Sequence, residues 1–208
     1  MKKDELKPGR GRPRGFDREI ALEKALDLFW RQGYEATSLA ELTATMGLTP
    51  PSLYAAFGNK QQLFLQAMEH YSQTYGSSAQ PAFDAAPTAR EAIEALLGVA
   101  AATYASPLTP PGCPIISAAT NCSPASADVE SALRERRIIS EAQLRQRIEQ
   151  GISAGELPPD TNAAALGKFY AAVIQGMSVQ ARDGTTCPEL AAIVATAMRA
   201  WPSSSAWP

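Results

Sequence analysis

The residues of this chain whose types and spacing suit chemistry are hydroxyls, a tyrosine and cations, gathered toward its amino-terminal end. Thr37, Ser38, Thr49, Ser52 and Tyr54 supply donors and acceptors, Pro50 stands among them, and Lys60 supplies charge. Upstream, Arg10, Arg12 and Arg14 alternate with glycine and proline in Gly9-Arg10-Gly11-Arg12-Pro13-Arg14-Gly15. Such groups suit hydrogen bonding to phosphates and base edges rather than bond breaking. Covalent chemistry has little to start from. His70 is the sole histidine, and no nucleophile–base pair, glycine-rich phosphate loop or metal cluster is visible. The three cysteines, Cys113, Cys122 and Cys187, lie far from zinc-ligand spacing. The sequence therefore predicts no enzyme, no metal and no cofactor.

Two short helices and a tight turn must position the hydroxyl cluster. Ser38 with Glu41 makes a capping box, in which each side chain satisfies the other end's free backbone donor. Leu39, Leu42 and Met46 recur at helical spacing and are expected to form one apolar face. Gly47 follows, where a left-handed stop costs glycine least. Thr49 suits the cap of the next helix, which starts at Pro50 or Pro51, since the second proline disfavours helical geometry at the first. Leu53, Ala56 and Phe57 then face inward, leaving Thr49, Ser52 and Tyr54 outward. This is the pattern of a helix-turn-helix reader of duplex DNA. Asn59 and Gln62 cap a further helix with Lys60 at its first position. A cation there is opposed by the helix dipole unless an anion such as a DNA phosphate is shared with the free N–H groups.

Net charge is −2 for 208 residues, but it is unevenly spread. Residues 1–18 carry seven cations against three acidic residues, and residues 61–208 nine against thirteen. A basic end joined to an acidic body suits a nucleic-acid-binding unit attached to a unit with another task. The arm, residues 1–15, lacks the apolar content to fold alone. Its Gly-Arg-Pro core resembles an AT-hook, whose arginines enter the narrow minor groove of A·T-rich DNA. The amino terminus is charged, with no apolar leader, and no stretch approaches a membrane span, so a cytoplasmic protein without membrane contact is expected.

Residues 16–68 resemble the amino-terminal domain of the tetracycline-repressor (TetR/AcrR) family. The resemblance rests on Ala21-Leu22, Ala25-Leu26, Leu28-Phe29, Gly33-Tyr34, Thr37-Ser38-Leu39, Leu42, Gly47-Leu48, Ser52-Leu53-Tyr54, Phe57, Lys60 and Leu63-Phe64. It implies that the second and third helices form the reading unit. It also implies that Tyr54 and Lys60 touch phosphates and that Thr49 to Ser52 approach base edges. The double proline departs from the commonest pattern of the family.

The remainder reads as all-helical. Helix one spans about 17–32 and helix four about 59–75, closing a DNA-binding domain over residues 16–75. A Gly/Ser/Pro-rich separator, 76–87, opens a second domain, 76–208. Further helices are expected at about 88–105, 113–121, 126–155, 161–182 and from 186 onward, with capping boxes at Thr88/Glu91 and Thr186/Glu189. The last two carry broad apolar faces and, by the resemblance, form the interface of a homodimer. The resemblance also places a small-molecule pocket among the middle helices. Its expected wall is Tyr104, Cys113, Ile116, Asn121, Cys122, Phe169, Tyr170, Val173 and Met177. The function expected is that of a ligand-responsive repressor binding a palindromic double-stranded operator as a dimer. The alternative is a thiol-based redox regulator using Cys113 and Cys122.

Overall fold

The structure, a computed structural model, describes residues 16–202. Among these residues every regular element is helical. The order is α1 (Arg18–Gln32), α2 (Leu39–Met46), α3 (Pro50–Phe57), α4 (Lys60–Tyr71), a π-helical turn (Ser72–Gly76) and α5 (Gln80–Ala85). There follow α6 (Ala89–Tyr104), α7 (Pro114–Ser117), α8 (Ala127–Ser153), α9 (Ala163–Arg182) and α10 (Cys187–Met198). No helix among the described residues is long and apolar enough to cross a membrane. The arm that contains Arg10, Arg12 and Arg14 lies outside the described residues.

Aromatic packing fixes the first four helices. The Phe29 ring of α1 meets Phe64 of α4 edge-on, with centroids 5.0 Å apart, and Trp30 meets Tyr71 in the same way at 4.8 Å. Leu42 of α2 and Leu53 of α3 complete this core without exposure. A second layer is built from Ile93 and Leu97 of α6, Leu133 and Ile148 of α8, Tyr170 and Met177 of α9, and Leu190 and Met198 of α10.

Three segments differ from the sequence reading. The separator after α4 is not featureless: α5 forms there with no side-chain cap, held by Phe83 buried against the core. The expected helix at 113–121 shrinks to α7, because the chain turns so that the Ala118 carbonyl accepts the Tyr34 N–H at 2.8 Å. Helix α4 stays α-helical only to Tyr71. Beyond it Ser72, Thr74 and Ser77 each donate a hydroxyl to the carbonyl four residues back, at 2.7–2.9 Å. Such back-bonding competes with the regular ladder, in keeping with the π turn seen there.

Candidate nucleic-acid interface and ligand cavity

The turn between α2 and α3 is set by local chemistry. The Ser38 hydroxyl accepts the Glu41 N–H at 3.1 Å while the Glu41 carboxylate accepts the Ser38 N–H at 2.8 Å. The Ser38 hydroxyl also donates to that carboxylate at 2.7 Å, and the two donated bonds hold the Glu41 carboxyl below its usual range. Gly47 ends α2 at φ 69°, in the left-handed region that side chains avoid. Helix α3 starts at Pro50, which resolves the choice between the two prolines. Thr49 caps it by accepting the Ser52 N–H, and the Thr49 and Ser52 hydroxyls lie 2.9 Å apart.

Leu53 and Phe57 point into the core, so Thr49, Pro50, Pro51, Tyr54 and Ala55 form the outer face of α3, with Ser52 half-buried beside them. Tyr54 is 48% exposed. Two residues depart from expectation. Thr37 is fully buried, and its hydroxyl donates to the Gly33 carbonyl at 2.6 Å, so it stands in no position to meet DNA. Leu39 does not join the buried face of α2. At the first position of the helix it is exposed, and Leu42 and Met46 alone turn inward.

Neither α2 nor α3 contains a lysine or arginine, and the cations described beside them stand on the flanking helices α1 and α4. Lys60 at the start of α4 places its Nζ 4.4 Å from the centre of the Tyr34 ring. Partial burial pulls its pKa down, while the charges of Glu35 and Glu41 act in the opposite sense. Arg18 of α1 lies over the Phe57 ring at 4.7 Å and donates to Gln66. Gln66 in turn donates to the Phe57 carbonyl at 3.1 Å, tying the end of α3 to α4. This Arg18 contact is long-range and carries no local signal in the sequence.

Several bonds join the first four helices to the rest. Arg182 at the end of α9 donates to the Trp30 and Arg31 carbonyls, both at 3.0 Å, and so caps the carboxyl end of α1. Glu35 accepts from the Ser123 N–H and hydroxyl at 2.8 and 2.9 Å. Gly33 approaches Ala118 so closely that a Cβ there would sit 3.1 Å from the Ala118 carbonyl oxygen, at a φ of 82°. Arg136 of α8 donates to the Ser72 hydroxyl and to Glu69, each at 2.9 Å. Glu23 of α1 accepts from Tyr75 at 2.6 Å and bonds His70 at the same distance. Bonding to Glu23 is the main cause that pushes the Tyr75 phenol up to about 12.

A cavity of about 400 Å³ opens between α4, the π turn, α5, α6, α7, α8 and α9. Of the nine residues expected in its wall, Tyr104, Cys113 and Ile116 line it. The other six lie elsewhere. Tyr170 is buried with its hydroxyl on the Ala197 carbonyl at 3.3 Å, turned toward α10. Met177 is buried in the core, Val173 is half-buried against it, and Phe169 is 40% exposed on the outer side of α9. Asn121 is exposed and Cys122 half-buried in the loop before α8, where Cys122 neighbours Tyr34, Glu35 and Lys60. Sequence reading missed Phe83, Leu96, Val99, Arg137 and Ile174, which do line the cavity. Cys113 faces the phenols of Tyr71 and Tyr104, and burial pushes all three groups up. Burial is also the main cause that raises the Cys122 thiol.

Residues 21–67 match the model of the bacterial regulatory proteins, tetR family, and residues 89–201 that of the tetracyclin repressor-like C-terminal domain. The chain is 38% identical over 198 residues to the HTH-type transcriptional repressor ComR of Escherichia coli (strain K12), covering 95% of this chain and 94% of that one. It is 32% identical over 190 residues to the repressor BdcR of the same strain, with 90% of each covered. Among solved structures it is similar to a cysteine mutant of the TetR family regulator CifR complexed with 26-bp double-strand operator DNA. That match has a TM-score of 0.89 at 45% identity and covers 92% of this chain and 100% of that one.

Proposed function

The chain belongs to the TetR family of bacterial regulatory proteins, and is a DNA-binding transcriptional regulator rather than an enzyme; from that premise we propose that it represses its target by binding a palindromic operator as a homodimer and is released by a small molecule. Residues 16–75 serve as the DNA-binding unit and residues 76–208 as the effector and dimerisation unit. In the major groove, Thr49, Pro50 and Ser52 meet base edges, while Tyr54, Lys60 and the exposed cap at Ser38 meet the backbone. The arm adds Arg10, Arg12 and Arg14 in the adjacent minor groove.

Two copies are needed to read two half-sites about one helical turn apart. The outer side of α9, where Phe169 and Val179 are 40% and 49% exposed, together with α10, offers an apolar face for the second copy.

The observation that carries the switch is the position of the cavity. Its wall includes Tyr71, Ser72, Tyr75 and Gly76, the end of the helical run that begins at Lys60. A ligand that favours one arrangement of this wall favours one placement of α4. It thereby alters the separation of the two α3 helices in a dimer. Binding energy acts on DNA only through such a difference between states, and a tenfold induction needs about 1.4 kcal/mol of coupling.

The redox alternative has weaker support. Raised thiols are poor nucleophiles, and Cys113 and Cys122 have different neighbours. The test is operator binding by the full chain, followed by fluorescence anisotropy. Ala100→Phe, which fills the cavity from α6, should change the response to an inducing molecule. If instead oxidant releases DNA and Cys113→Ser with Cys122→Ser abolishes that release, the thiol reading replaces the ligand one.

A further inference from the structure

The charges around the cavity do not balance. Three ionised side chains line it: Arg136, Arg137 and Glu141. Glu141 is held by Lys168 at 2.7 Å, and Arg136 by Glu69 at 2.9 Å. Arg137 forms no salt bridge among the described residues. One of its N–H groups donates to the Ile115 carbonyl at 2.8 Å. A guanidinium has five N–H donors in a planar fork, so most of this one is left for another acceptor. Its burial opposes its charge strongly enough to pull its pKa below the usual arginine value, with the Glu130 carboxylate acting only as a weaker opposing influence. Holding a partly desolvated cation without a counter-ion is costly.

The remainder of the wall is neutral and mixes polar side chains, among them Ser72, Gln80, Thr103 and Gln175, with apolar ones. Phe83, Leu96 and Val99 on one side and Ile116, Ala171 and Ile174 on the other leave room for a hydrocarbon body. We propose that the effector is an amphiphilic anion, a carboxylate with an apolar tail, whose head pairs with Arg137 while its tail fills the space between α5, α6 and α9. The planar fork matches a carboxylate through paired N–H···O bonds. This assignment rests on the reading of the cavity as the effector site. It adds to that reading the chemical class of the ligand and the residue that selects it.

The test compares straight-chain carboxylates, from hexanoate to dodecanoate, with the corresponding primary amides, by calorimetric titration of the full chain. Each pair matches in size and differs in charge. The wild type should bind the best carboxylate about tenfold or more tightly than its amide, the range of a charge-assisted bond. Arg137→Gln should erase that preference while leaving the amide's affinity in place, and Arg137→Lys should keep part of it. Equal affinity for acid and amide in the wild type would overturn the proposal. So would equal weakening of both by Arg137→Gln, or no binding by any carboxylate of the series. Operator binding, measured beside the titrations, separates this proposal from the reading it rests on. A carboxylate that binds through Arg137 yet leaves operator affinity unmoved would overturn the effector reading and keep the ligand class. Release of DNA by an amide and not by its acid would do the reverse.

Discussion

Replacing Lys60 by methionine removes one positive charge from the start of α4 and keeps an unbranched stem to lie on the Tyr34 ring. If Lys60 contacts a phosphate in each protomer, a dimer loses two such contacts. Each phosphate contact contributes about 0.9 to the slope of log affinity against log salt, so the slope should become shallower by about 1.8. Over a rise from about 50 to about 200 mM salt, the variant should then lose roughly tenfold less affinity than the wild type. The slope is a better readout than affinity at one salt concentration. The ammonium sits 4.4 Å from the Tyr34 ring, and a cation–π contact of this kind is worth about 0.5–1 kcal/mol when exposed. Its loss weakens the fold slightly but leaves the slope alone. The assay is fluorescence anisotropy with operator and random duplexes across a salt series, with Lys60→Arg as the charge-retaining control. Both duplexes should show the change, because phosphate contacts position without reading sequence. An unchanged slope in Lys60→Met, with full affinity, would refute the assignment and leave Lys60 as a support for Tyr34 alone.

Other expectations follow from the same geometry. Phe169→Glu or Val179→Glu, each on a side chain exposed in the protomer, should split the dimer in sedimentation while the circular dichroism of the fold persists; Val194→Asp, on a side chain buried within the protomer, should unfold the chain instead. Thr37→Val should lower stability by about 1 kcal/mol in denaturant titration, because the Gly33 carbonyl loses a buried donor, and should leave base preference intact. Arg182→Met removes two bonds to the end of α1 and should lower stability by roughly 1–2 kcal/mol, with weaker ligand-induced release in the anisotropy assay. Tyr75 has a folded-state pKa raised from 10.0 to about 12, so its contribution to stability is whole below about pH 10 and is lost as pH rises through about 12. Alkaline unfolding of Tyr75→Phe should therefore be less steep in that window.

What could be read from the sequence was local chemistry. The capping pairs Ser38/Glu41 and Asn59/Gln62 join residues three apart and form as expected, and in Thr186/Glu189 the carboxylate accepts the Thr186 N–H and hydroxyl at 2.8 and 2.7 Å. Thr88/Glu91 forms only in part, with Thr88 accepting the Glu91 N–H while the Glu91 carboxylate bonds the Thr88 hydroxyl instead of its backbone. Helix α5 escaped notice because six residues without a cap carry little signal; burial of Phe83 stabilises it, and burial is a tertiary fact. Thr37 looked like a surface hydroxyl because residue type does not reveal which way a loop side chain turns. The cavity was the least legible part. Its wall combines residues from Tyr71 to Gln175 across seven elements, and Arg137, which forms no salt bridge among the described residues, lies in the middle of α8, where the sequence is strongly polar.

The most direct test of the account is titration of the full chain onto duplex DNA from upstream of its own coding region, with binding ratio and affinity both recorded. Two chains should bind each site, with affinity at least about a thousandfold above that for random duplex at physiological salt. Tyr54→Ala combined with Lys60→Met should weaken both binding modes. Equal affinity for the upstream and random duplexes, or saturation at one chain per site, would contradict it.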